Sequence, residues 1–369
     1  MNHEISSGDI LPAKEAVESI DLTDLSSPIE IPPIPEDAHP ENISDEERGF
    51  LKSEINRLKE ERNALILAHN YMPKDVQDVA DVVGDSLYLA QRGKDSDADI
   101  LCEASVLFMQ EILAVMKKTH QKILAPDLKA LCSLAAHVDV GKIKAWKEKY
   151  PKGIVASYVN TYLKVKAISD YCYTSSNYVG VIKFILENHP GEDLLVLPDV
   201  HLGFSIAKFF QKIGQSLDRL WLMMGACHVH DIIRPSHIEE QRKLHPDAAV
   251  VFHGECACVR RCMVMVGEGS VPEDMMQSRS TQGMIKFVKE SPAKKIIFAT
   301  EVGNLYPMSK AAPDKILIPA NPEAICAFMK QNTLRKVYIS LRDLVREIVV
   351  DPELADKARR PIERMLSIT

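Results

Sequence analysis

The sequence has no apolar run approaching the roughly 18–20 residues needed to cross a bilayer, so no membrane-spanning helix is expected. Its opening residues, "MNHEISSGDILPAKEAVESIDL", lack the basic and apolar stretches of a secretory signal. The cytosol is therefore the expected location, and the eight cysteines are expected to be reduced thiols. They include no C-x-x-C pair of the kind that builds zinc knuckles. The one local cluster, Cys256, Cys258 and Cys262 in "VFHGECACVRRC", is irregularly spaced. Residues 1–47 contain no cysteine and no aromatic, and one lysine against thirteen Asp or Glu and six prolines. Such a stretch lacks the apolar surface to offset the entropy of ordering. Residues 1–43 are accordingly expected to be a disordered, acidic, proline-rich extension.

What remains is ordinary for a globular protein, in a chain of 369 residues that is 46% hydrophobic and 26% charged. That length allows two or three domains. The net charge is −7, and residues 1–47 contribute −12 (one lysine less thirteen acids), so the rest carries about +5. A mildly basic body suits anionic small molecules. Neither nucleic acid nor membrane is expected as a partner.

Order is expected from Ser44, where "SDEE" matches a capping box (Ser44 with Glu47) and opens a helix through "RGFLKSEINRLKEERN". Beyond it, short apolar β-rich runs alternate with amphipathic stretches. The runs form three comparable sets. "ALILAHNY", "DILCEAS" and "KILAPD" precede Cys132. "GIVASYVN", "YCYTSSN" and "LLVLPD" precede Cys227. "AVVFHGE", "MMQSRST" and "IIFATE" precede Cys326. In "KDVQDVADVVGDSL", Val76, Val79, Ala80 and Val83 share one helical face, which predicts a continuous helix. The expected fold class is α/β, with three similar parallel-sheet units at 44–140, 141–235 and 236–330. C-terminal helices over 331–369 are expected to pack on that body.

From the end of each first strand to its cysteine the separations are 63 (from His69), 69 (from Tyr158) and 73 (from His253); the cysteines stand 95 and 99 residues apart. Ligands bind at the carboxyl ends of parallel strands, so three such units would bring these thiols to a common centre. A lone cysteine is most often a small buried hydrophobe. Equivalent places in three units point instead to a shared site. Three thiolates fall short of the four closed ligands of a structural zinc. They suffice for three irons of a 4Fe–4S cluster, leaving the fourth iron as a Lewis acid. Of His228 and His230, alternation along a strand would turn at most one inward. His253 and Glu255 in "HGE" sit at a strand end, where both can reach a ligand. The loops "GDS" (84–86), "YVNT" (158–161), "TSSN" (174–177) and "STQG" (280–283) offer hydroxyls and backbone N–H groups for an anion, though each alone would serve as an N-cap.

In this order "LAHNY", "DVADVVGDSL", "PDLKALCSLA", "YVNTYLKVKA", "TSSN", "LPDVHLG", "GACHVH", "HGEC", "STQGM", "TEVGN" and "CAFMK" resemble the quinolinate synthase family, over roughly residues 60–345. The resemblance implies three α/β units about a pseudo-threefold axis, with the active site and cluster at the centre. It implies that iminoaspartate condenses with dihydroxyacetone phosphate to form quinolinate, with loss of phosphate and water, in de novo NAD biosynthesis. L-aspartate oxidase would supply the iminoaspartate. The implied cofactor is a 4Fe–4S cluster held by Cys132, Cys227 and Cys326, with one iron not ligated by protein. The implied substrate-binding residues are His69, Ser86, Tyr158, Asn160, Ser175, His253, Glu255 and Thr281. Glu255, Tyr71 and His253 are the implied catalytic residues, with Glu255 the general base.

This chain departs from the family pattern in places. Leu131 precedes the first cysteine where glycine is usual, and Gly254 replaces the proline of "HPEC", which is expected to loosen the backbone there. Lys164 stands for a common glutamate and Leu107 for a common histidine. The stretch from Glu255 to Thr281 is longer than usual, so Cys258 and Cys262 are expected on an insertion, outside the ligand set. Two other readings stay open at this level. One is a zinc-dependent aldolase acting on dihydroxyacetone phosphate through His230 and His253. The other is a non-catalytic iron–sulfur sensor with the acidic extension as its interaction arm.

Overall fold

A short strand, β1 (Ile10–Pro12), precedes three sets of four strands in the computed structural model, which describes residues 8–19 and 25–368. The first set is β2 (Ala64–His69), β3 (Val82–Gly84), β4 (Ile100–Ala104) and β5 (Lys122–Leu124). The second is β6 (Ile154–Tyr158), β7 (Tyr171–Tyr173), β8 (Leu194–Leu197) and β9 (Leu220–Met223). The third is β10 (Ala249–Phe252), β11 (Met276–Ser278), β12 (Lys295–Ala299) and β13 (Ile316–Pro319). Their orders are β3-β2-β4-β5, β7-β6-β8-β9 and β11-β10-β12-β13, so each unit repeats one topology. All pairings within the sets are parallel. The chain is thus an α/β protein of three parallel-sheet units.

The central strands read as unbroken apolar runs because helices cover both of their faces. Every residue of β4, β6 and β10 is buried. In the third unit the two faces separate cleanly. Val250, Phe252, Ile297 and Ala299 join one core cluster, while Ala249, Val251, Ile296 and Phe298 join another. That is the alternation a pleated strand imposes.

Several expectations change. Val76 and Val79 are buried in a helix that spans only Lys74–Val79. Ala80 is extended (φ −74°, ψ 142°), and Val83 belongs to β3. Ser44 does cap the helix Asp45–Glu61, accepting from the Glu47 N–H at 3.2 Å. Glu47 does not return to Ser44, because Arg335 takes its carboxylate at 2.6 and 2.7 Å. Each set also contains a strand absent from the runs above: β3, β9 and β13.

The extension is corrected most. Its described residues, 8–19 and 25–43, are placed on the body rather than disordered; residues 1–7 and 20–24 lie outside the described residues. β1 adds antiparallel to β9, with Ile10 opposite Met223 and Pro12 opposite Trp221. Ala13 and Ala16 of the helix Ala13–Ser19 are buried, as are Leu25, Ala38 and Ile43. At the other end, the helix Pro352–Ser367 packs on β7 and on the helix Leu163–Lys166. Among the described residues no helix is long and apolar enough to cross a membrane.

Candidate active site

The carboxyl ends of all three sheets open on one cavity. Each unit delivers groups from equivalent places. At or just past the ends of the first strands stand His69 and Tyr71, Tyr158 and Asn160, and His253 and Glu255. After the second strands come Ser86, Ser175 and Thr281. After the fourth strands come Cys132, Cys227 and Cys326. All twelve residues singled out from the sequence line this cavity, whereas Cys256, Cys258 and Cys262 are buried in the core of the third unit. Gly254 has no left-handed backbone; a Cβ there would meet Leu202 at 3.0 Å, so the missing side chain gives space rather than turn freedom.

The hydroxyl groups sit at helix starts. Ser86 is the first residue of the helix Ser86–Asp95, behind its cap Asp85. Thr281 opens Thr281–Glu290, with Ser280 accepting from the Gly283 N–H at 3.1 Å. Ser175 lies just before Tyr178–Asn188. Partial positive charge from helix N-termini therefore faces the chamber.

Glu255 is the hub of the polar network. Tyr158 donates its hydroxyl to Glu255 Oε1 at 2.5 Å. His253 Nε2 meets Ser175 Oγ at 3.1 Å, and the His253 ring stacks on His230 with centroids 4.8 Å apart. His230 Nδ1 and Glu255 Oε2 face each other 3.3 Å apart, buried, without an aligned hydrogen bond to each other or to any other described residue. Tyr71 Oη touches Thr300 Oγ1 at 2.6 Å and His230 Nε2 at 3.3 Å.

Burial decides most protonation states. It pushes the imidazoles of His69 and His253 down to about 3 and about 4, so both are neutral at pH 7. It raises the phenols of Tyr71 and Tyr158 well above their ordinary range, which keeps them as proton donors. Burial alone would raise Glu255 too, but His230, His253 and the Tyr158 hydroxyl outweigh it and hold the carboxyl below its usual range.

Sequence reasoning missed several residues. Both His228 and His230 line the cavity, because β9 ends at Met223 and strand alternation no longer applies. Thr300 and Glu301 follow β12. Glu301, fully buried, accepts from the Cys326 N–H at 3.1 Å and pairs with Lys330 at 2.8 Å. Lys330 in turn donates to the Tyr71 carbonyl. The "TEVGN" motif thus ties the Tyr71 segment of the first unit to the Cys326 turn.

Parallel strands that deliver a carboxylate, phenols and neutral imidazoles to one buried chamber define an α/β enzyme. Comparison with known proteins gives the particular kind. The family described as Quinolinate synthetase A protein matches residues 53–367. A protein of Pyrobaculum aerophilum called quinolinate synthase is 43% identical over 316 residues, 86% of this chain and 99% of its own length. Quinolinate synthases of Thermus thermophilus (40% over 318 residues, 86% and 97%) and Mycobacterium tuberculosis (37% over 316 residues, 86% and 88%) are similar as well. The chain belongs to the quinolinate synthase family.

Membership implies an iron–sulfur cofactor, and the donor set fits one. Burial pushes the thiols of Cys132 and Cys326 up to about 12 and raises that of Cys227 well above its ordinary range; for Cys132 and Cys227 the neighbouring cysteines add to the rise. Thiolates form in such a place only against a cationic centre. Nearby backbone N–H groups offset part of that rise: those of Leu134 and Ala135 at Cys132, His230 at Cys227, and Phe328 and Met329 at Cys326. A tighter set, Cys227, His230 and Glu255, brings its ligand atoms within 4.8 Å of one another.

Proposed function

We propose that this chain condenses iminoaspartate with dihydroxyacetone phosphate, losing phosphate and water, to form quinolinate for de novo NAD biosynthesis. The observation that carries this reading is the single chamber to which all three units bring the residues the family resemblance names. We read the units as arranged about a pseudo-threefold axis through it. Cys132, Cys227 and Cys326 would hold a 4Fe–4S cluster with one iron free of protein. When bound, it supplies a Lewis acid for a carboxylate or a departing hydroxyl. Ser86, Ser175 and Thr281, at helix starts, would hold the anionic groups, and His69, Tyr158 and Asn160 would complete the substrate contacts.

The proton work then falls to this chain's side chains. Glu255, ionised and hydrogen-bonded to Tyr158, is placed to take a proton from a substrate carbon or nitrogen. Tyr71, a protonated phenol beside His230 and Thr300, is suited to give one to a leaving oxygen. His253, neutral and braced by Ser175, can pass a proton either way. An imine such as iminoaspartate hydrolyses in water, so a nearby source is needed. We assign that supply to L-aspartate oxidase, in the cytoplasm.

The compact set of Cys227, His230 and Glu255 favours a second reading, a single zinc in an aldolase. Anaerobic purification separates the two. A brown protein with about four irons per chain and quinolinate turnover is the expected result. Colourless protein holding one zinc, without turnover on these substrates, would replace the synthase with the aldolase.

A further inference from the structure

The stretch matched by the family begins at residue 53, yet the residues before it grip the segments that carry all three cavity cysteines. We propose that the described parts of the extension, residues 8–19 and 25–43, are straps which hold the turns of Cys132, Cys227 and Cys326 at fixed spacing, so that the thiol set is formed before any cofactor arrives. The proposal rests on the reading of those thiols as one ligand set.

The first grip lies at Gly8 and Asp9. Gly8 N–H donates to the Met224 carbonyl at 2.6 Å, and the Met224 N–H donates to the Asp9 carbonyl at 2.7 Å. Met224 is the residue that leads from β9 into the turn of Cys227. Gly8 has φ +80°, and a Cβ there would stand 2.7 Å from the His137 carbonyl. His137 closes the helical turn Ser133–Ala136 that Cys132 opens. Gly8 is therefore wedged between two cysteine-bearing turns, where only glycine fits. Asp9 adds an ion pair to Lys142 at 2.8 Å, and the β1–β9 pairing continues the attachment.

The second grip lies at Pro33 and Asp37. Gln331 Nε2 donates to the Pro33 carbonyl at 2.9 Å and to the Ala327 carbonyl, beside Cys326, at 3.1 Å. Thr333 donates to Asp37 Oδ2 at 2.7 Å. Each cysteine-bearing turn is itself lightly closed, by Ala136 N–H to Cys132, Asp231 N–H to Cys227 and Lys330 N–H to Cys326. None of these three amides bonds to a strap, so their opening reports what the straps do to the turns.

Amide hydrogen exchange on metal-free, full-length protein tests this. Gly8→Val should speed exchange at Ala136 and Asp231 by roughly tenfold or more while leaving Lys330 alone. Asp37→Ala should speed Lys330 and spare the other two. A chain starting at residue 44 should speed all three, with the amides of β12 keeping their protection. If that truncation does not fold, the two point variants decide. Cysteine-turn amides within about twofold of the unmodified chain would overturn the straps, as would equal acceleration of β12, which marks general destabilisation. Iron content of the unmodified chain is read separately: a chain that takes up no iron would sink the ligand-set reading without touching the exchange result.

Discussion

On the proposed reading, Glu255 works beside two anionic substrates with a carboxylate held below its usual range, which makes its task proton transfer rather than charge recognition. Glu255→Gln keeps the shape and the Tyr158 contact but removes the proposed base. Single-turnover quinolinate formation should fall roughly 10²–10⁴-fold, with iron content unchanged. A rate within about threefold of the unmodified enzyme would move the base elsewhere, to Tyr71 or His253. Glu103 is a buried carboxyl of the opposite kind. It lies on β4, away from the cavity, with Oε2 unpartnered among the described residues, and burial pushes it up to about 8. Between its ordinary 4.5 and 8 the folded chain keeps a proton that the unfolded chain has lost. Stability from this group is therefore full below the lower value and is lost as pH rises through the upper one. Glu103→Gln carries no such dependence. In urea unfolding the variant should match the unmodified protein near pH 5 and exceed it increasingly toward pH 8.5, at roughly 1.4 kcal/mol per unit of displacement as an upper limit. A stability difference that stays flat with pH would mean that Glu103 ionises normally.

Elements were legible where burial left a continuous signal. β2, β6 and β10 each lie between two strands of their own sheet, so their sequences read as plain apolar runs ending in polar side chains. The strands that escaped notice, β3, β9 and β13, are three or four residues long, but so are β5, β7 and β11, which were read, so length alone does not explain the misses. β3 was masked because Val83 falls in helical phase with Val76 and Val79, and only the extended backbone at Ala80 breaks the pattern. Composition misled over residues 8–19 and 25–43. A low average hydrophobicity hid the few apolar side chains, Ala13, Ala16 and Ile43, whose partners stand far along the chain. The same long range explains Thr300 and Glu301. Their partners Tyr71, Cys326 and Lys330 are fixed by how the units pack, which no local pattern encodes. The three cysteines were legible because each closes a comparable set of strand runs, and parallel strands point their carboxyl ends at one place, whereas the roles of the other nine cavity residues came from the family resemblance.

At the scale of the whole chain, distance in sequence and distance in space run opposite ways for the cysteines. Cys132, Cys227 and Cys326 are 95 and 99 residues apart, yet they line one cavity because each follows the fourth strand of a unit with the same topology. Cys256, Cys258 and Cys262 are near neighbours, yet the helix Val259–Gly267 turns them into the third unit's core, and the Cys256 thiol is spent on the Ala299 carbonyl at 3.2 Å. The two sets should therefore respond differently to substitution. Replacing Cys132, Cys227 or Cys326 by Ala should in each case abolish the iron–sulfur absorbance, since a three-ligand site has no spare anchor. The folded body should persist, because these side chains line the cavity rather than fill the packed interior of a unit. Cys258→Ala and Cys262→Ala should keep the absorbance and the iron, but lose about 1 kcal/mol of stability through the small core void each leaves. Absorbance, iron per chain and thermal midpoint, read on one anaerobic preparation of each variant, separate the outcomes. Survival of the absorbance without Cys326, together with its loss in Cys262→Ala, would assign the cofactor to the Cys256–Cys262 stretch and leave the convergence of the three units to serve the substrates alone.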